Sequence, residues 1–280
     1  MNSTDLLTLT LAGSGSEVTI APLRGAIVTS LQLHGRELLY LDESTFRDPG
    51  KNVRGGIPVL FPAPGKLQGD HWQWQGSQGD MKQHGFARNC AWTVVSTEDS
   101  AATLALQSDA STLAQYPWPF EARLRYELGE SSLRIGTTVR NCGSEPMPFA
   151  FGFHPYFTVT DKTRAQIRSE ATLAFNNLTQ STEPFAGFDL AAPEVDLHLI
   201  DHPHREMTLE LGDGAAITVR ATPDYRRWVV WTLAGKSFVC VEPWTAPGNA
   251  LNTGEKLFVL APGKSHETRV EVVLRDTPRA

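Results

Sequence analysis

Apolar residues recur at every second position through much of this chain, and that period constrains the fold more than any other feature. Successive side chains of a strand point to opposite faces, so alternation marks an element with one face on a core and the other turned away. The pattern begins at Leu6 to Leu11, resumes after Gly13-Ser14-Gly15-Ser16 at Glu17 to Ala21, and continues at Ala26 to Leu33. Further strands are expected at Trp92 to Ser96, Ala102 to Gln107, Phe120 to Leu128, Ser132 to Arg140, Met207 to Leu211, Ala216 to Ala221, Trp228 to Leu233, Phe238 to Val241 and Thr268 to Leu274. Turn residues at Gly129-Glu130, Asn141-Cys142-Gly143 and Gly212-Asp213-Gly214 separate several of them. One short helix is expected over Ser108 to Gln115, capped by Ser108 or Asp109 and ended by Pro117. The pattern predicts an all-β fold of stacked antiparallel sheets.

A length of 280 residues with a 41% hydrophobic share fits one large β unit, because such sandwiches often run past ~200 residues undivided. No repeat, heptad, low-complexity tract or linker breaks the chain, so residues 1–280 are expected to form a single domain. A net charge of −6 argues against nucleic acid or an anionic membrane as the main partner, since both require a basic surface. A local basic pocket remains compatible with that balance. The segment Met1 to Leu7 carries an acid and no Lys or Arg ahead of its apolar run, so no secretory leader is expected there. No stretch approaches the ~18 uninterrupted apolar residues of a membrane span. Cys90, Cys142 and Cys240 are odd in number and far apart, which predicts buried free thiols in a reducing compartment, the cytoplasm.

Four segments carry candidate chemistry. Phe149 to Phe157 is an aromatic run with His154 at its centre. Pro155 biases the residue before it toward extended backbone, so His154 is expected at a strand end, in an apolar wall that can set its pKa and orientation. A lone histidine in such a strand is ordinarily a satisfied core residue; its company elsewhere makes it a candidate. In Arg54-Gly55-Gly56-Ile57-Pro58 the glycines permit a bend that would project Arg54 from a turn, although alone Arg54 is equally a surface arginine. In Gln83-His84-Gly85-Phe86-Ala87-Arg88 an extended backbone would put His84, Phe86 and Arg88 on one face, where imidazole and guanidinium could cradle a phosphate or carboxylate. Phe238 to Val241 leads to Glu242 at the end of an apolar strand, followed by Pro243 and Trp244. A buried Glu is costly unless paired, hydrogen-bonded or protonated. Desolvation would raise its pKa from ~4.3 and improve it as a base while leaving much of it ionised near neutral pH. A structural salt bridge is the alternative for Glu242. Trp244 offers a flat apolar surface to a sugar face.

No phosphate-binding loop, dinucleotide fingerprint or nucleophile elbow is present. His198, His202 and His204 lie near Asp196 and Asp201 and could in principle ligate zinc, but Pro203 and the charged surroundings favour a solvated turn, so no metal site is expected.

Together these segments resemble the aldose 1-epimerase (galactose mutarotase-like) superfamily in its hexose-6-phosphate 1-epimerase branch. The resemblance rests on Arg54-Gly55-Gly56-Ile57-Pro58, Gln83-His84-Gly85-Phe86-Ala87-Arg88-Asn89, His154-Pro155-Tyr156-Phe157 and Val241-Glu242 in that order, and on Tyr116-Pro117-Trp118-Pro119-Phe120. It implies a β-supersandwich of large antiparallel sheets that interconverts the α and β anomers of an aldose without metal or organic cofactor. It further implies Glu242 as general base and His154 as general acid. Arg54 and Arg88, with His84 beside them, would hold a phosphate or distal sugar oxygens, and Asp196 would bind sugar hydroxyls, with Asp189 and Asp201 close enough in sequence to exchange places with it. The expected partner is a small sugar or sugar phosphate such as glucose 6-phosphate, bound by a monomer. His154-Pro155 and Glu242-Pro243-Trp244 depart from better-known members and bear on substrate preference. A free-hexose epimerase and a non-catalytic carbohydrate-binding module are the alternatives. A glycoside hydrolase ordinarily needs two carboxylates, and only Glu242 has a convincing setting.

Overall fold

The computed structural model describes residues 6–276; residues 1–5, part of the segment read above for a leader, lie outside them. Two eight-stranded antiparallel sheets and a four-stranded meander share one core. The first large sheet runs in the order Gln166–Ile167, Glu206–Glu210, Ala215–Ala221, Ser265–Asp276, Ser132–Asn141, Phe120–Leu128, Ala101–Gln107, Thr93–Thr97. Its alternation is regular: Ala122, Tyr126 and Leu128 face the core opposite Val139, Ile135 and Leu133, while Glu121, Arg123, Arg125 and Glu127 point away from it. We call this the back sheet.

The second, the site sheet, runs Ser181–Pro184, Leu173–Asn176, Glu194–Leu199, Arg227–Leu233, Phe238–Trp244, Gly152–Phe153, Val59–Leu60, and Tyr156–Thr158 also pairs with Phe238–Trp244. Val195, Leu199, Trp228, Val230, Val239 and Val241 project from one face into the core shared with the back sheet. The opposite face is covered by its own small clusters, Leu60 with Val229 and Trp244, and Tyr156 with Phe238 and Cys240. A sheet buried on both faces can hold charged groups only where they find partners. The meander comprises Leu7–Leu11, Ser16–Ala21, Ile27–Leu33 and Arg36–Glu37. The Tyr126 hydroxyl of the back sheet donates to its Ala26 carbonyl at 2.6 Å.

The expected helix forms over Ala110–Gln115, with Asp109 as N-cap in a reciprocal capping box with Thr112. Two short helices were not anticipated, Glu43–Arg47, capped by Asp42, and Ala250–Thr253. The strand Glu194–Leu199 was also missed, although Val195, Leu197 and Leu199 alternate there. No helix among the described residues is long and apolar enough to cross a membrane. Cys90, Cys142 and Cys240 are free thiols, but only Cys240 is buried as expected; Cys90 is half-buried, and Cys142 is exposed because it lies in the turn that follows Ser132–Asn141.

Candidate active site

His154 and Glu242 meet because of a register. Gly152 pairs with Trp244 and Tyr156 with Cys240, and both pairs belong to one antiparallel alignment, so His154 lies directly across from Glu242. At that point the ladder opens, and Pro155 and Pro243 supply no N–H to close it. His154 is instead anchored from its other side, where its backbone N–H donates to the Pro58 carbonyl at 3.1 Å. His154 thus follows the short strand Gly152–Phe153, as Pro155 predicts. Glu242 does not end its strand as expected; it lies inside Phe238–Trp244, because pairing with Arg227–Leu233 carries the strand through Pro243.

His154 Nε2 stands 3.3 Å from Glu242 Oε1, and Trp244 Nε1 donates to Glu242 Oε2 at 3.1 Å. The imidazole stacks on Tyr156 at 4.6 Å and 9° and meets the edge of Trp231 at 5.7 Å. Glu242 is 1% exposed and His154 7%. Burial, reinforced by the negative charge of Asp196, pushes Glu242 well above the ordinary carboxylate range. Burial also pushes His154 well below the usual imidazole value, helped by His84 and Arg88. Glu242 is therefore less ionised near neutral pH than the sequence reading expected.

The expectation of an extended Gln83–Arg88 segment is overturned. His84 and Gly85 adopt left-handed backbone at φ of 72° and 70°, and Ala87–Asn89 is a 3-10 turn. Gly85 is required there, since a Cβ would lie 2.1 Å from the Phe61 carbonyl oxygen. The bend turns the His84 ring edge-on to both His154 and Trp244, at 5.5 and 6.0 Å. His84 Nδ1 contacts the Pro64 carbonyl oxygen. A carbonyl only accepts, so Nδ1 carries the proton and Nε2 holds a lone pair. Burial and Arg88 push the His84 pKa down to about 3, so His84 is a neutral acceptor and contributes no positive charge to an anion cradle.

Arg88 is half-buried; one Nη2 bond reaches the Gln83 carbonyl at 2.9 Å and its Nε has no partner among the described residues. Arg54 is exposed, its backbone N–H held by Thr45 Oγ1 at 2.9 Å. The charges of both arginines bear on Tyr156, whose hydroxyl pKa burial raises. Asp196 lies on the same face as Glu242 and accepts from Asn177 Nδ2 at 2.7 Å, with His198 Nε2 3.1 Å from its other oxygen. Asp201 instead accepts from Thr172 and Leu173, and Asp189 from Ala191, which settles which of the three aspartates faces the catalytic candidates. His198 corrects the reading of a solvated histidine turn: it is buried on the strand Glu194–Leu199, its ring 5.1 Å from Trp244. Trp231, which covers the His154 ring, was also missed. Its alternation with Val229 on one strand was the available signal. The donor atoms of His154, Cys240 and Glu242 all lie within 4.8 Å of one another.

The aldose 1-epimerase family model matches residues 6–272. The chain belongs to the aldose 1-epimerase family. The Slr1438 protein of Synechocystis sp. PCC 6803 superposes with a TM-score of 0.93 at 34% identity, covering 97% of this chain and 96% of that one. A Cenchrus ciliaris protein provisionally named a glucose-6-phosphate 1-epimerase is 27% identical over 89% of this chain and 78% of its own length. A galactose mutarotase-like protein of Lactobacillus casei shares the fold at TM-score 0.80 and 24% identity, over 96% of this chain and all of its own. This family member is an isomerase of the aldose epimerase type on a galactose mutarotase-like supersandwich, in the branch whose motifs its sequence carries.

Proposed function

We propose that this epimerase acts on a hexose 6-phosphate, glucose 6-phosphate being the first to test, and that His154 and Glu242 move the protons. The observation that carries the reading is the opposed His154–Glu242 pair at 3.3 Å with two arginines beside it. Anomer exchange needs one group to take the proton from the O1 hydroxyl and another to protonate the ring oxygen O5 as the C1–O5 bond opens. Rotation about C1–C2 then presents the other face of the aldehyde, and closure with the roles reversed returns both protons. Glu242 acts as base and His154 as acid in the opening step.

The opposite pKa shifts suit this cycle. Protonated Glu242 with neutral His154, and ionised Glu242 with cationic His154, contain the same number of protons. One proton transfer interconverts them, so the pair holds its single working proton from above His154's depressed value to beneath Glu242's raised one. Neutral His84, through Nε2, accepts from a sugar hydroxyl, as does Asp196, while Trp244 flanks the ring. Arg88 supports the phosphate reading because a half-buried guanidinium with an unpartnered Nε gains most from a charged, multi-oxygen ligand. Arg54 extends that charge toward solvent.

Saturation-transfer NMR on glucose 6-phosphate and glucose tests this directly. Exchange accelerated for the phosphosugar, with the advantage eroded by salt, supports the reading. Equal acceleration of both sugars would return the arginines to sugar-hydroxyl or structural contacts.

A further inference from the structure

Cys240 has no part in the chemistry above, yet it stands two positions from Glu242 on the same face of one strand, and its register partner Tyr156 stacks on His154. We propose that His154, Cys240 and Glu242 form an inhibitory binding site for a thiophilic divalent cation, with zinc as the natural occupant. The site would bind an inhibitor, not a cofactor.

The donor set is nitrogen, sulfur and oxygen, the combination zinc accepts in tetrahedral sites. Zinc bonds of roughly 2.0–2.3 Å require donors about 3.3–3.8 Å apart at a tetrahedral centre. His154 Nε2 and Glu242 Oε1 are already separated by 3.3 Å, and the Cys240 sulfur lies within 4.8 Å of the other donor atoms. Closing the set therefore needs a movement on the order of 1 Å, comparable with a rotamer adjustment. Water would complete the fourth position from the side where substrate enters, so metal and sugar would compete for the same space.

Charge favours the same occupant. An ionised thiol or carboxylate alone is costly in this face, where Cys240 and Glu242 are both buried. One dication with a thiolate and a carboxylate is neutral overall, and binding releases their protons. Asp196, whose charge reaches both Cys240 and Glu242, adds attraction, and Arg88 opposes it from the side of His154. Magnesium and calcium, which prefer all-oxygen shells, gain nothing from the sulfur. A bound zinc would occupy the atoms that must hold and release protons, so inhibition follows if those atoms do the chemistry. The binding itself does not depend on which sugar is turned over.

Equilibrium dialysis of the full chain with Zn2+, and absorption spectra with Co2+ as probe, test the site without sugar. The expected result is one metal per chain at micromolar concentration, a thiolate-to-cobalt charge-transfer band, and affinity reduced at least tenfold in both Cys240→Ser and Glu242→Gln. Anomer exchange should then be inhibited by zinc and cadmium but not magnesium, with relief by excess sugar. Absence of stoichiometric metal, or equal affinity in the wild type and both variants, would overturn the proposal. A surface signal is separable, because metal held at exposed pairs such as His204–Glu170 or His71–Asp80 would persist unchanged in both Cys240→Ser and Glu242→Gln and would give no thiolate band.

Discussion

The two large sheets share a core and differ in almost everything else. The back sheet is built from long, unbroken strands, with Phe120–Leu128, Ser132–Asn141 and Ser265–Asp276 running 9, 10 and 12 residues. Its charges lie outward in exposed or half-exposed pairs such as Arg125–Glu98 at 3.1 Å, Arg134–Glu271 at 3.3 Å and Arg220–Glu206 at 2.9 Å. The site sheet reaches the same core through strands as short as two and three residues around a break at His154-Pro155, and it buries Glu242, His154 and Arg227. Arg227 is held by exposed Glu255 at 3.1 Å, with its Nε unpartnered among the described residues. One sheet thus spends its sequence on stability, while the other carries groups that oppose stability and are kept for what they can do.

Four changes would break or sharpen that contrast. Glu242→Gln should lower kcat by roughly 10²–10⁴-fold, the usual worth of a positioned acid or base, while leaving the fold intact. Burial raises Glu242 above its ordinary 4.5, so the folded chain keeps a proton that the unfolded chain releases above that pH. Wild-type stability therefore falls as pH rises from there toward the folded value, a loss the Gln variant escapes. Thermal melts should show the variant gaining on wild type as pH rises above 4.5; a gain in the opposite direction would place an ionised Glu242 in the folded protein. Leu124→Ala, at a position 0% exposed in the back sheet, should cost about 2–5 kcal/mol in denaturant melts and leave kcat and KM of the folded fraction unchanged. Arg88→Ala should raise KM for glucose 6-phosphate about 10–100-fold, the worth of lost charged hydrogen bonds, with little effect on glucose. Arg134→Ala, in the outward lattice of ion pairs, should stay within about 0.5 kcal/mol of wild type and change no kinetic constant. A large kinetic effect at Leu124 or Arg134 would erase the division of labour between the sheets.

The back sheet was the more legible. Phe120–Leu128 matches its expected bounds, because alternation between core and solvent is strict where one face is wet. In the site sheet both faces are covered, so alternation blurs and Glu194–Leu199 passed for a turn despite Val195, Leu197 and Leu199. The short strands around His154 are bounded by pairing partners rather than by any local signal. Motif residues were visible as chemical types, but the backbone at His84-Gly85 was misread because its left-handed bend depends on the close passage of the Phe61 carbonyl over Gly85, a contact made 24 positions away in the chain.

By itself, then, the amino-acid sequence determined the strand period, the turns and glycines that permit tight bends, and the presence of an imidazole, a carboxylate and two guanidiniums in suggestive settings. Those are local properties, written within a few residues. Tertiary structure alone decided that Gly152–Trp244 and Tyr156–Cys240 share one register and so set His154 against Glu242, that Asp196 rather than Asp189 or Asp201 faces them, and that His84 is neutral. Register is a property of two distant segments, and a pKa depends on the dielectric and charges that the whole fold gathers around a group.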